Sequence, residues 1–185
     1  TVYSSKYIFI ALKEHLDKGL DIVLKNLGNI ISLDYITEGA ACTCLLAKNY
    51  IDDDNELIIA NCDQYLQWNF DDFIYVARRY DGCILTFNST NPHHSYAKLK
   101  NGFISEVAEK RVISDNASAG IYYFKKGSYF VKFAEQMIQK DIRVNNEFYV
   151  CPVYNELIVP KNQKILAFPI PTCAMHGLGT PEDLE

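Results

Sequence analysis

Short apolar runs of strand length alternate with stretches whose apolar residues recur at helical spacing. That alternation restricts the chain to an α/β fold. Residues 7–12 (YIFIAL) form the first such run, and Leu16, Leu20, Val23, Leu24 and Leu27 follow at helical spacing, with Gly28-Asn29 as a stop. Residues 30–36 alternate like a strand, and Thr37-Glu38-Gly39 leads into a helix with Ala41, Cys44 and Leu45 inward. ELIIANCD (56–63) reads as a buried strand ending in a carboxylate. A helix over 70–79 is entered through Asp71 and Asp72, whose charges suit its N-terminus, and Gly82 ends it before the buried strand 83–87.

Strands 96–99 and 103–108 read as a hairpin turning on Lys100-Asn101-Gly102. A strand is expected over 118–124. Ser128 then caps a helix with Phe130, Phe133, Ala134, Met137 and Ile138 on its buried stripe. Another helix is expected from near Phe148 through Ile158, its regular start limited by Pro152, and a last strand over 164–168 precedes a loop-like tail. Strand–helix–strand units imply parallel pairing in the first half, and the hairpin implies antiparallel pairing later. The expected fold class is therefore α/β: a mixed, mainly parallel doubly wound sheet with helices on both faces. With 185 residues and neither linker nor repeat, the chain reads as a single domain.

Composition narrows the function classes. Eighteen basic against 23 acidic side chains give a net charge of −5, which argues against a non-specific nucleic-acid binder. No apolar run approaches the ~18 residues a membrane span needs, and the opening TVYSSKYIFIAL lacks a secretory n-region. The six cysteines lie mostly inside apolar runs, where Cys behaves as a small buried hydrophobe; a reduced, cytoplasmic protein is expected. Cys42 and Cys44 resemble half a metal site, but no second pair with ligand spacing follows.

In an open α/β sheet, ligands bind beyond the carboxyl ends of strands, which singles out Asp63. Its carboxylate reads equally as a Mg²⁺ ligand or as a cap for the next segment. Thr37-Glu38-Gly39-Ala40 places a glycine at a helix N-terminus, where backbone N–H groups approach a ligand closely or a tight turn simply needs the room. Lys110 could neutralise a phosphate with Glu109 beside it, or Glu109-Lys110-Arg111 is a solvated turn. His93 and His94 are adjacent, cannot easily share one ion, and read as exposed.

Taken in order, TEGAACTCLLA (37–47), ELIIANCDQ (56–64), VAEKRVISDNASAGIYYF (107–124) and GLGTPEDLE (177–185) resemble the sugar-nucleotide pyrophosphorylase (nucleotidyltransferase) family, nearest in character to its bacterial capsule and surface-glycan branch. The resemblance implies a nucleotidyltransferase fold, shared in outline with GT-A glycosyltransferases. It also implies a reaction in which an NTP and a phosphorylated sugar or other small phosphorylated acceptor give an NDP-linked product and pyrophosphate. On that footing Asp63 holds Mg²⁺, and Thr37, Glu38, Gly39 and Ala40 contact the nucleotide. Glu109 and Lys110 hold the acceptor and its phosphate, and Gly120 lets the acceptor approach its strand. Asn145 and Glu147 fall where the family places a further acceptor-side segment. CTP is the first nucleotide expected, and a homo-oligomer is permitted.

Two departures accompany the resemblance. The family's Gly-rich loop, with its Arg and Lys, belongs on a strand–loop–helix unit ahead of Tyr7, so the domain reads as N-terminally incomplete and the polypeptide as written is expected to be inactive or impaired alone, with one sheet edge exposed. Gly177 stands where many relatives carry a second metal-binding Asp, with His176 and Asp183 nearby. Two rivals remain: a GT-A glycosyltransferase, whose paired acidic residues are absent at Cys62-Asp63-Gln64-Tyr65, and a nucleotide-binding module without turnover.

Overall fold

A computed structural model describes residues 6–160 and 163–179. It opens with strand β1 (Ile8–Leu12), which pairs in parallel with β2 (Asn29–Leu33). Between them runs an interrupted helix: α1 (Lys13–His15), a π-helical turn (Leu16–Leu20) and α2 (Asp21–Leu24). Gly19, at φ +103°, breaks the helical phase, so the stripe expected to face inward is not continuous. Leu16 and Leu24 are half-buried, while Val23 and Leu27 face solvent.

Next come α3 (Ala40–Leu45), α4 (Lys48–Ile51), β3 (Leu57–Ala60), β4 (Gln64–Leu66) and α5 (Phe70–Ala77). Asn69 caps α5, its Oδ1 accepting from the Asp71 and Asp72 N–H groups. The remaining strands are β5 (Gly82–Asn88), the hairpin β6 (Ser95–Lys100) and β7 (Phe103–Glu109), and β8 (Asn116–Phe124). Helices α6 (Gly127–Gln139) and α7 (Val153–Ile158) follow, then β9 (Ile165–Pro169) and β10 (Met175–Gly177), the last pairing antiparallel with β4. The hairpin turns where expected, with Asn101 and Gly102 both left-handed.

The sheet is mixed, and its direction is set by β8. β8 lies antiparallel to β5 along one edge, and β5 in turn pairs in parallel with β9. Its other edge is shared: residues 121–124 pair with β3, and Ala117 pairs with Tyr96 of β6. Thus β3, β5 and β9 point the same way, yet parallel pairing in the first half is confined to β1 and β2, because the antiparallel β8 lies between β3 and β5. The changeover along the shared edge falls at Gly120, whose φ of +71° kinks the strand.

Apolar side chains fill both faces. One cluster joins Ile84, Tyr122 and Phe124 to α6 and α7, with Ile8, Ile10 and Ile31 packed against it; the other joins Cys83, Leu85 and Phe87 to Phe73, Ile74 and Ala77 of α5. Helices on both faces of the sheet are as the sequence implies.

Several boundaries differ from the sequence reading. β3 is half-buried and stops at Ala60, leaving Cys62 and Asp63 exposed on the segment beyond it; among the described residues it pairs along one edge, with β8. Helix α6 starts at Gly127, so Ser128 lies inside it. The orphan N–H groups of Gly127 and Ser128 donate to the Asn55 and Asp53 carbonyls, which replace a side-chain cap. Pro152 does set the start of α7, and Phe148 lies outside that helix. The tail is not all loop, since β10 pairs with β4. Among the cysteines, Cys83 and Cys151 are buried, but Cys173 is as exposed as Cys62.

Candidate functional site at the sheet's carboxyl end

The strand register brings the singled-out residues to one end of the sheet. Asn88, at the end of β5, faces Asn116 of β8; Thr86 faces Pro169 of β9; and Ala60 of β3 faces Ile121. At the same end, Glu109 faces Ser95, and Tyr96, next to Ser95, faces Ala117. β3 therefore ends beside Gly120 of β8, β9 ends level with Ser118, and β5 runs on to Asn116, so their carboxyl ends share the side of the sheet on which an open α/β fold binds ligands.

Asp63 sits just beyond β3. Its carbonyl accepts from Leu178 N–H at 2.8 Å, which anchors the end of β10, with Gly177, against it. A Cβ on Gly179 would lie 3.0 Å from Asp63 Oδ2, so the glycine leaves room for the carboxylate. Among the described residues that carboxylate is exposed and forms no ion pair. One open carboxylate is a donor set that fits Mg²⁺ when phosphates and waters complete the shell. No group of three or more His, Cys, Asp or Glu side chains among the described residues could hold an ion unaided. His176 is exposed and packs its ring 5.8 Å from that of Tyr65. Asp183 lies outside the described residues.

What stands against Gly120 is protein. A Cβ there would meet Gln64 Oε1 at 2.4 Å, Gln64 Nε2 at 2.7 Å and Asn61 Nδ2 at 2.9 Å. Asn61 N–H donates to the Gly120 carbonyl, and Gln64 Nε2 is buried without a partner among the described residues.

Glu109 is 9% exposed and accepts a short hydrogen bond from Ser95 Oγ. Burial pushes its carboxyl pKa up, while Ser95 and the Lys110 charge pull the other way and Glu147 adds to the rise. Next to it, Lys110 has a left-handed backbone (φ +51°), donates its N–H to the His94 carbonyl, and exposes its side chain. His94 is half-buried rather than exposed, its ring edge-on to Phe87 at 5.1 Å. Lys110 Nζ donates to Tyr149 Oη at 2.6 Å, and its pKa is raised first by that bond.

Burial and the neighbouring Glu147 push the Tyr149 phenol pKa up, while Lys110 pulls it down. Asn145 lies apart, at a tight turn closed by the Val144–Glu147 bridge, where Asn145 and Asn146 are both left-handed.

Thr37, Glu38, Gly39 and Ala40 form the turn into α3. Thr37 Oγ1 donates to the Gly39 carbonyl at 3.0 Å and lies 2.6 Å from Thr43 Oγ1, so that hydroxyl serves the turn itself. Tyr35, Ile36, Thr37, Glu38, Cys42 and Leu46 line an open groove of about 350 Å³. The turn is bound to residues 143–149: Phe148 N–H donates to the Glu38 carbonyl, Ala41 N–H donates to the Phe148 carbonyl, and Arg143 ion-pairs with Glu38 at 2.6 Å. The guanidinium also lies 4.0 Å from the Phe148 ring centre.

Segment 143–149 therefore touches the Thr37–Ala40 turn through Arg143 and Phe148, and Lys110 through Tyr149. Sequence reasoning missed Arg143, Tyr149, Asn61 and Gln64. The one available signal was the two-residue spacing of Glu147 and Tyr149, which puts them on one side of an extended segment.

No family profile matches the sequence, and no curated protein is similar enough to count as a relative. Solved structures do match. The nucleoside-diphosphate-sugar pyrophosphorylase from Vibrio cholerae RC9 superposes with a TM-score of 0.84 at 24% identity, covering 98% of this chain and 79% of that one. A protein assigned as a glucose-1-phosphate thymidylyltransferase from Bacillus anthracis, in complex with a sucrose, gives 0.69 at 15% identity over 96% and 72%. The inositol-1-phosphate CTP transferase from T. maritima gives 0.68 at 12% over 97% and 72%. The chain has the fold of the sugar-nucleotide nucleotidyltransferases.

Proposed function

We propose that the protein is a Mg²⁺-dependent nucleotidyltransferase joining an NTP to a phosphorylated sugar or another small phosphorylated acceptor and releasing pyrophosphate. The observation that carries this reading is the convergence of Asp63, the Glu109–Lys110 pair and the Thr37–Ala40 turn at one end of a sheet with this fold. The acceptor phosphate oxygen attacks the α-phosphorus in line, the bond to the β-phosphate oxygen breaks, and pyrophosphate leaves with that electron pair. The acceptor is already an anion, so the protein's work is positioning and charge neutralisation. Asp63 would hold Mg²⁺, which supplies charge neutralisation on the phosphates. Lys110 and Glu109 serve the acceptor, and Thr37, Glu38, Gly39 and Ala40 the nucleotide. Asn145 and Glu147, on the segment that reaches Lys110, serve the acceptor side.

CTP is the first nucleotide to test, and an NDP-activated precursor for a surface glycan is the product class the sequence resemblance favours. The six free cysteines suit a reducing cytoplasm. The chain reads as one domain.

The test is pyrophosphate release from CTP, UTP and dTTP with Mg²⁺ and a panel of phosphorylated acceptors, using protein expressed from the full open reading frame. Release that requires one NTP, one acceptor and Asp63 supports the reading. Nucleotide binding with no release across the panel makes the protein a binding module. Free NDP produced from an NDP-sugar makes it a glycosyltransferase.

A further inference from the structure

Lys110 is an exposed lysine on a left-handed backbone, yet its ammonium is fixed. Tyr149 Oη accepts from Nζ at 2.6 Å, and Nζ lies 4.7 Å from the centre of the Tyr149 ring. Burial keeps that phenol neutral by pushing its pKa up, with Glu147 adding to the rise. Among the described residues Lys110 forms no ion pair, although Glu109 precedes it and Glu147 lies one side chain away.

That choice of partner has a chemical consequence. A carboxylate on the ammonium would fix it and also cancel its charge. A neutral phenol fixes the ammonium through its oxygen and leaves the charge, with two of its three N–H donors, for an incoming oxyanion. It also means that the rotamer entropy of a long flexible side chain is lost on folding rather than on binding.

We propose that Tyr149 is a positioning residue for Lys110, holding the ammonium in place without neutralising it so that it takes up the phosphate of the acceptor. This rests on the acceptor-side role assigned to Lys110 above. Tyr149 itself touches no reacting atom.

The test uses protein from the full open reading frame with ¹³C-labelled lysine, the Lys110 side-chain signal being assigned by its loss in Lys110→Met. Inorganic phosphate is titrated against the wild type, Tyr149→Phe and Tyr149→Leu. The expected result is a phosphate-dependent shift of the Lys110 signal in the wild type, with affinity about tenfold weaker in Tyr149→Phe, the usual worth of one hydrogen bond to a charged group. Tyr149→Leu, which also removes the ring, should be weaker still.

In the pyrophosphate assay Tyr149→Phe should raise KM for the acceptor by a similar factor and leave KM for the NTP unchanged. In a Lys110→Met background it should add nothing. Equal phosphate affinity in the wild type and Tyr149→Phe overturns the proposal. So does a Lys110 signal that ignores phosphate, or a Tyr149→Phe penalty that persists without Lys110. If no acceptor supports turnover but the phosphate titration separates the variants, the transferase reading fails and the Lys110–Tyr149 anion site stands. If turnover occurs and Tyr149→Phe behaves as wild type, the reverse holds.

Discussion

Gly39 and Phe148 are in backbone contact: a Cβ on Gly39 would lie 2.5 Å from the Phe148 carbonyl oxygen and 2.6 Å from its nitrogen. This contact holds the turn into α3 against the segment that reaches Lys110. Gly39 has φ +125° and ψ 172°, a region open in practice only to glycine.

Gly39→Ala therefore meets both a strained backbone and a backbone neighbour that cannot yield cheaply. The expected cost is at least about 1–3 kcal/mol of stability from the strain alone. Urea unfolding should show a lower midpoint with an unchanged slope, and calorimetric titration should show weakened nucleotide binding. A variant with wild-type midpoint and affinity would mean that the contact is dispensable.

Asp63 presents the opposite case, an exposed carboxylate with no ion pair among the described residues. Asp63→Asn should leave stability within about 0.5 kcal/mol of wild type, as surface changes usually do. Pyrophosphate release should fall on the order of a hundredfold or more, since a metal's charge stabilisation is worth several kcal/mol. Raising Mg²⁺ should recover part of the loss. A steady-state rate near wild type would remove Asp63 from the metal site.

Glu109 gives a pH dependence whose sign is fixed by its burial. Its folded pKa is raised above the unfolded value, so the protonated carboxyl favours the folded state. That contribution is complete below the ordinary Glu range and is lost as pH rises through the raised folded pKa. Glu109→Gln, which keeps an oxygen to accept from Ser95, should be more stable than wild type at neutral pH and converge with it in acid. It should also bind the acceptor more weakly. Denaturation midpoints at several pH values decide the matter: a stability difference that grows toward acid would contradict the assignment.

Features carried by neighbouring residues were legible in the sequence. The Asn101-Gly102 turn follows from local chemistry and appears, whereas the strand expected to end at Asp63 stops at Ala60. The errors arise where a distant partner decides. Ser128 has the right chemistry for a cap, but the cap position falls two residues earlier, at Lys126, because the Asp53 and Asn55 carbonyls, from another loop, receive the helix's first N–H groups. The stripe expected over 16–27 assumes an unbroken helix, which left-handed Gly19 prevents. Tyr149 was invisible because its partner Lys110 lies 39 residues away along the chain. The match of β3 to β8 could not be read either, since periodicity does not reveal that one strand changes partners midway.

That change of partners makes Gly120 the last test. At φ +71° an alanine would be strained by roughly 1–2 kcal/mol. Its methyl group would also displace the Gln64 amide, which has Oε1 2.4 Å from the Cβ position. The two costs separate in a double-mutant cycle. Gln64→Ala alone removes a buried amide whose Nε2 has no partner among the described residues, so its own cost should be small. If Gln64 fills the space at Gly120, Gly120→Ala should cost clearly more in the wild-type background than in Gln64→Ala, where only the backbone strain remains. Equal costs in both backgrounds would show that Gly120 is required for its conformation alone, leaving the space above it to a ligand.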